Sequence, residues 1–242
     1  MKGVYGITLA VLVGCGDGQE TQSESLVEAE FVVSFANIAE SDALVTVDGE
    51  VAVAFSPGVW VVRETGAPAI FVVETTASLG EEALAESGQV RDLLRELTPF
   101  SGTRGVFGGD SESSYGDQPI MPGSVVSFGF RATEGEALSL AAMFGESNDT
   151  VAATPLPLLL FDESGVPFSG AVSVSYIDAG TELNEELGTG SNQGPRQPDA
   201  TSGVAEDGVM TMFDVDDPQG FEFPPLAAVL RIEIQGTVLA AE

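Results

Sequence analysis

The sequence predicts an all-β protein, an antiparallel sandwich or barrel with one short helical segment at about 80–97. Many short runs alternate apolar and polar residues, as half-buried strands do. Turn-forming residues, mostly glycine, proline, asparagine and aspartate, separate these runs along the chain. Only one stretch places apolar residues at helical spacing. Together these features indicate packed antiparallel sheets with little helix.

The first predicted strand lies near the N-terminus, and the others follow along the whole chain. Residues 29–38 alternate apolar and polar side chains. Residues 43–55 carry two β-branched arms around Asp48-Gly49, a sequence typical of a hairpin turn. The further predicted strands, in chain order, are 58–62, 68–75, 124–132, 137–144, 156–161, 171–177 and 228–240. The segments 101–118 and 178–208 are polar and predict loops, and a loop as long as the second is usually functional or disordered.

The helical stretch has the expected start and stop signals. Glu81 and Glu82 lie in its first turn, where negative charge is favourable. Pro99 ends the apolar pattern, and Gly88 is expected to break the helix into two pieces.

The first residues resemble a bacterial export signal. Lys2 precedes an apolar run at 4–13, which is too short to span a bilayer because a span needs about 20 residues. The order Leu-Val-Gly-Cys at 12–15 resembles the lipobox, in which the cysteine is diacylated and becomes the new N-terminus. We therefore expect 1–14 to be a lipoprotein signal peptide and Cys15 to be the lipidation site. An ordinary signal peptide with an incidental cysteine is the alternative.

This interpretation divides the chain into three parts and predicts where it resides. Residues 15–28 are small, polar and acidic, which predicts a flexible tether from the lipidated Cys15. Residues 29–242 show no internal repeat and no change of composition, so one domain is expected. The predicted location is a membrane, most simply the outer membrane, with the domain in the periplasm or on the cell surface. The single cysteine excludes a disulfide within the chain.

Charge and the absence of histidine limit the function. The chain has 38 acidic residues against 8 basic ones, a formal charge of −30, so neither nucleic acid nor anionic lipid headgroups are expected partners. Such a surface attracts cations, although adaptation to high salt explains it equally well. Without histidine, neither a Ser-His-Asp triad nor a histidine-ligated zinc can form. We predict a protein that is not an enzyme, with a carbohydrate-active enzyme using an acidic pair as one alternative.

Five phrases follow one another in an order that resembles a known family. They are FSPGVWVV (55–62), LGEEALAESGQVRDLLREL (79–97), MPGSVVSFGF (121–130), LSLAAMFGESNDT (138–150) and DAGTELNEELGTG (178–190). The series resembles the spondin N-terminal domain, found in F-spondin, in mindin and in bacterial exported proteins, and it covers roughly 30–236. The resemblance implies a C2-like antiparallel β-sandwich that binds calcium at loops on one end and acts in adhesion. The animal proteins carry disulfides and thrombospondin repeats that this chain lacks, so their integrin and matrix partners are not expected here.

Two of these phrases contain the predicted metal ligands. Asp149 follows one predicted strand and Asp178 ends another, so their carboxylates converge if both strands finish at the same end of the sandwich. Glu182 lies four residues beyond Asp178 and is expected to fold back to the same ion, with Asn148 and Asn184 supplying amide oxygens. Ca²⁺ takes about six to eight oxygen ligands of these kinds. In the alternative hypothesis, Asp149 and Asp178 only cap loop amides.

The sequence thus predicts a lipid-anchored, Ca²⁺-binding adhesion or binding module. The ion is expected to order the 178–208 loop and present it to a protein or glycan ligand. The main alternative is an acidic structural protein of the cell envelope without a metal site.

Overall fold

The computed structural model describes residues 26–200 and 202–240. The predicted signal peptide, the predicted lipidation site Cys15 and most of the predicted tether lie outside the described residues. No helix in the described ranges is long and apolar enough to cross a bilayer.

The described residues form antiparallel strands with three short helices. The strands are β1 (Glu28–Asn37), β2 (Leu44–Thr46), β3 (Gly49–Val51), β4 (Phe55–Glu64), β5 (Thr103–Phe107), β6 (Val125–Thr133), β7 (Glu136–Phe144), β8 (Thr150–Ala153), β9 (Leu158–Leu159), β10 (Gly170–Ala171), β11 (Ser175–Asp178), β12 (Thr211–Phe213) and β13 (Leu230–Val238). The helices are α1 (Leu79–Ser87), α2 (Val90–Glu96) and α3 (Leu226–Val229).

Two antiparallel sheets enclose the main core. The first has the order β10-β13-β1-β6, and the second has the order β12-β11-β8-β7-β4-β5, with β9 also paired to β7. Strands β2 and β3 form a separate hairpin, as predicted, but its turn is Val47-Asp48, one residue before the predicted Asp48-Gly49, and it ends at Val51 instead of 55. The prediction of an all-β antiparallel sandwich is confirmed.

Aromatic rings from both sheets fill the space between them. Trp60 of β4 stacks on Phe128 and Phe130 of β6, with ring centroids 5.2 Å apart in each pair. Phe31 and Phe35 of β1 point into the same core and are fully buried. Burying a side chain of this size stabilises the fold by about 1.5–3 kcal/mol. The alternation of 29–38 therefore predicted the buried face of β1 correctly.

Helices α1 and α2 cover the outer face of the second sheet. Leu84, Val90 and Leu93 are buried against Val59 and Val61 of β4. The predicted break is confirmed, because Gly88 adopts a left-handed conformation with φ of 65° and its N–H bonds back to helix carbonyls.

Some strand predictions were wrong. Residues 68–75 form no strand: Phe71 is fully buried and the N–H of Ile70 donates to the Ser139 hydroxyl (3.0 Å), so an apolar run is buried there without joining a sheet. The predicted strand at 156–161 contains only β9, and the one at 171–177 divides between β10 and β11. The sequence did not predict β5, β8, β12 or α3.

Strand β7 connects two ends of the sandwich that differ in character. Its first residues pair with the end of β4 and with β9, whereas Phe144 at its other end leads into the turn before β8. Nine residues of strand separate the two ends by about 26 Å. We call the end with the turn 145–149 and the loop 178–208 the acidic end. The end with 155–168 is the apolar end.

Candidate functional site

The three predicted ligands lie at the acidic end. Strands β8 and β11 are antiparallel, and Thr150 at the start of β8 is paired with Asp178 at the end of β11. Asp149, just before β8, and Asp178 therefore lie at the same end of the sheet. The condition for their convergence is therefore met. Asp149, Asp178 and Glu182 are all buried, with 0%, 3% and 3% of their surfaces exposed.

Asp149 holds the start of the long loop. Its Oδ2 accepts hydrogen bonds from the backbone N–H groups of Thr181 (2.7 Å) and Glu182 (3.0 Å), and from the Thr181 hydroxyl (3.1 Å). Its Oδ1 is buried and has no hydrogen-bond partner. One oxygen of this carboxylate thus caps the loop, and the other is left free for a ligand.

Asp178 is connected to a second acidic segment through Asn184. Its Oδ1 accepts from the N–H of Gly180 (2.8 Å), and its Oδ2 accepts from Nδ2 of Asn184 (2.6 Å). The same Nδ2 donates to Oδ2 of Asp217 (2.9 Å). The amide oxygen of Asn184 is buried without a partner.

Glu182 lies against the backbone of Gly203. Its Oε1 accepts from the Gly203 N–H (2.9 Å), while its Oε2 is buried without a partner. A Cβ at position 203 would lie too close to Oε2 of Glu182, so a larger residue there would force this carboxylate to move. Asn148 turns its amide oxygen to the N–H of Glu185 (2.9 Å), which places it in the same network but engages the oxygen predicted for an ion.

In this arrangement the carboxylates do not already form a metal cage. Within residues 26–200 and 202–240, no group of three or more Asp, Glu or Cys side chains is placed to hold a metal ion. Asp149 and Asp178 also make the amide contacts that the capping hypothesis expects.

Burial and mutual repulsion disfavour the charged forms of these carboxyl groups. Desolvation raises the pKa of Asp149, and the nearby Asp178 raises it further. Desolvation likewise raises the pKa of Asp178, with smaller contributions from Glu206 and Asp217. Burial also raises the pKa of Glu182. Positive charge at this end would therefore relieve several unfavourable interactions at once.

Sequence reasoning missed two buried acids next to the predicted ligands. Asp217 comes from the segment after β12 and Glu86 comes from α1. Burial, then the charge of Glu182, raises the pKa of Glu86 to about 7. Both are distant in sequence from the predicted ligands, and the fold brings Glu86 near Glu182. It brings Asp217 near Asp178 through Asn184.

An ion pair between a buried glutamate and a partly buried arginine fastens the long loop to the sandwich. Arg196 donates to Oε2 of Glu146 (2.9 Å) and to the carbonyl of Gly190 (2.8 Å). Gln197 donates to the backbone carbonyl of Glu86 (3.1 Å), which joins the loop to α1. The 178–208 loop is therefore packed against the fold over much of its length, although its described part contains no named strand beyond Asp178, the last residue of β11.

Comparisons with known proteins give no independent assignment. No family model matches the chain, and no curated protein gives a significant match. The expectation of a spondin-like domain therefore rests on the five sequence phrases alone.

Proposed function

We propose that this protein is an exported, lipid-anchored binding module that takes up Ca²⁺ at its acidic end and is not an enzyme. Among the described residues, four buried carboxylate or amide oxygens lack a hydrogen-bond partner, all at the acidic end: Oδ1 of Asp149, Oε2 of Glu182, Oδ1 of Asn184 and Oε1 of Gln197. The first three carry the proposal. A buried polar atom without a partner costs about 1–3 kcal/mol, so folded proteins rarely retain one. Three at one end call for a common explanation.

The chemistry of these groups suits calcium. All three are oxygens, from two carboxylates and one amide, and Ca²⁺ selects ligands of this kind. The chain has no histidine to favour zinc, and its single cysteine lies outside the described residues. Asp149, Glu182 and Asn184 would hold the ion, with Asp178 orienting Asn184 beside it. When bound, the ion would supply the positive charge that the buried carboxylates lack.

Calcium would act by fixing the long loop in place. Asp149 contacts the loop at Thr181 and Glu182, and Glu182 reaches across it to Gly203. An ion held between these groups would connect the start and the far side of the loop. The ordered loop is the surface we propose to meet a protein or glycan ligand.

Thermal unfolding in Ca²⁺ and in Mg²⁺ at matched ionic strength tests the metal site. With a dissociation constant of about 0.1 mM, 1 mM Ca²⁺ stabilises the protein by about 1.4 kcal/mol, which raises Tm by roughly 3–5 °C. Mg²⁺ should give a smaller shift, because it requires stricter octahedral geometry. Matching the ionic strength is essential, since screening alone stabilises a chain of charge −30.

Two variants locate the effect. Asp149→Asn keeps one oxygen to accept the loop amides and replaces the other with an NH₂ group. Glu182→Gln likewise keeps one oxygen for the Gly203 amide. Each variant should therefore lose the increase in Tm caused by Ca²⁺, with little change in Tm without Ca²⁺. Glu163→Gln is the matched control, because Glu163 is an exposed acid at the apolar end. Equal Ca²⁺ shifts in all three variants would rule out the site and favour the alternative of an acidic structural protein.

The lipid anchor requires a separate test. Intact-mass measurement of the protein purified from a bacterial host should show loss of residues 1–14 and addition of diacylglycerol at Cys15. Cys15→Ser should abolish the modification and release the protein from the membrane fraction. An unmodified Cys15 in a processed, soluble wild-type chain would refute the anchor and leave the calcium proposal standing.

The buried position of the acids also argues against the enzyme alternative. A glycoside hydrolase needs two carboxyl groups facing a substrate cleft. Asp149 and Asp178 are 0% and 3% exposed, and a cleft of about 690 Å³ lies at the other end of the sandwich. Trp60, the single tryptophan of the chain, is packed in the core and lines neither this cleft nor the acidic end.

A further inference from the structure

The apolar end exposes large hydrophobic side chains around two clefts. Leu156, Leu159 and Val166 have 79%, 54% and 56% of their surfaces exposed. Clefts of about 690 and 460 Å³ flank the segment 155–159 and share Leu156, Pro157 and Leu159 as a common wall. Exposed apolar patches of this kind mark surfaces that meet a protein or a membrane.

The N-terminal tether joins the fold beside this patch. Val27 packs against Gly165, in the turn that forms one wall of the larger cleft. The N–H of Val27 donates to Oε2 of Glu134 (2.9 Å), and the Glu134 N–H donates back to the Val27 carbonyl (3.1 Å), which fixes this entry point. Leu26, at the start of the described chain, is 64% exposed on the same side.

We propose that the patch formed by Leu26, Leu156, Leu159 and Val166 docks onto the bilayer to which the chain is anchored. This rests on the proposed lipid anchor at Cys15. The eleven residues from Cys15 to Leu26 extend at most about 40 Å, so a lipid on Cys15 keeps the apolar end near the membrane surface. Weak contacts made by a few leucines become effective because the tether maintains a high local concentration of bilayer.

Charge determines which bilayer surface the patch accepts. The carboxylate of Asp162, in the same turn, accepts hydrogen bonds from the N–H groups of Ser164 (2.8 Å) and Val166 (3.0 Å). Glu163 beside it is exposed, and the whole chain carries −30. Docking should therefore be strongest on zwitterionic lipid and weaken as anionic lipid is added, most of all at low salt.

Docking by this patch also orients the molecule. The acidic end lies about 26 Å away along β7, so it faces away from the membrane. The proposed calcium site and the 178–208 loop are then presented to partners and kept away from the bilayer.

A tryptophan placed in the patch tests the proposal directly. The full chain carries one cysteine, so its Cys15 thiol can be coupled to a maleimide phospholipid in phosphatidylcholine vesicles. In the variant L156W, brominated phosphatidylcholine should quench about half of the added emission. Native Trp60 is 7% exposed in the core and provides a constant background. The matched control is V47W, on the hairpin at the opposite end, which should show no quenching above that background.

Further arms separate the possible outcomes. Adding L159E to L156W should reduce the quenching at least several-fold, whereas V47E should leave it unchanged. Equal quenching of L156W and V47W, or none in either, would overturn the proposal. So would a concentration-dependent dimer without vesicles that L159E dissociates, because the patch would then bind a second copy. Because Cys15 is coupled to lipid chemically, the result does not depend on whether cells lipidate it. A negative result would therefore count against docking by the patch and not against the proposed lipid anchor.

Discussion

Both ends of the sandwich depart from the usual placement of residues, one by burying acids and the other by exposing large aliphatic side chains. At the acidic end, carboxylates such as Asp149 and Glu182 are buried; at the apolar end, Leu156 and Leu159 are exposed. Folded proteins normally keep acids in water and large aliphatic side chains in the core. Each arrangement costs free energy in the isolated chain, and we have proposed a partner that would offset it, a cation at one end and a lipid surface at the other. The following predictions compare the two ends, in order of decreasing effect.

Two aspartates that cap turns at opposite ends should differ in their effect on stability. Asp149→Ala leaves two buried amides without an acceptor and should lower the free energy of unfolding by about 3 kcal/mol. Asp162→Ala uncovers amides in an exposed turn, where water replaces the carboxylate, so it should cost about 0.5 kcal/mol. Urea unfolding without Ca²⁺ measures both. Similar losses would mean that burial does not distinguish the two ends.

The acidic end should be more stable at low pH in the absence of Ca²⁺. The pKa of Glu86 is raised to about 7 in the folded protein, mainly by burial, so the folded state holds a proton that the unfolded state releases at lower pH. Its stabilising contribution is complete below the ordinary glutamate pKa and is lost as the pH rises through 7. Relative to wild type, Glu86→Gln should remove about 2.5 kcal/mol of the fall in unfolding free energy between pH 5 and pH 8. Equal falls in urea unfolding of the two proteins would contradict the raised pKa.

The Glu146–Arg196 pair should be the next largest contributor. Arg196→Ala leaves Glu146, which is 3% exposed, without its cation, and should cost about 2 kcal/mol because Arg196 itself is only partly buried. The loop near Gly190 should also become more accessible to protease. The double variant with Glu146→Gln should recover part of the lost stability, since no buried charge is then left unpaired. No recovery in the double variant would show that Arg196 acts mainly through its contacts with the loop.

The apolar patch should matter least for stability in solution. Leu156→Glu with Leu159→Glu should change the free energy of unfolding by less than about 0.5 kcal/mol, because both side chains are already more than half exposed. Solubility at high protein concentration should improve. A loss of several kcal/mol would show that these leucines support the fold and would weaken the comparison between the ends.

The sequence predicted those parts of the fold that local patterns encode. The alternation of 29–38 identified β1, and the signals around Glu81 and Gly88 identified the two helices. It failed where tertiary contacts decide the structure. The 68–75 segment has strand-forming residues, but it packs into the core and the Ile70 N–H bonds to the Ser139 hydroxyl instead of to a neighbouring strand. The short edge strand β5 forms because β4 lies beside it.

The candidate site was also partly predictable. Asp149, Asp178 and Glu182 follow recognisable strands or belong to the adjoining loop, so their position at one end could be expected from the sequence. Asp217 and Glu86 could not be found in this way, because they arrive from a distant turn and from a helix on the outer face. Which carboxylate oxygen is engaged and which is free depends on backbone geometry that no spacing in the sequence specifies.

Hydrogen–deuterium exchange with and without Ca²⁺ is the most direct test of the central claim that the acidic end takes up the ion. The protein should be measured in 1 mM Ca²⁺ and in Mg²⁺ at matched ionic strength, with peptides covering 178–208 and 155–168. We predict that Ca²⁺ slows exchange in 178–208 several-fold and leaves 155–168 unchanged. Equal slowing at both ends, or no difference between Ca²⁺ and Mg²⁺ at either, would contradict it.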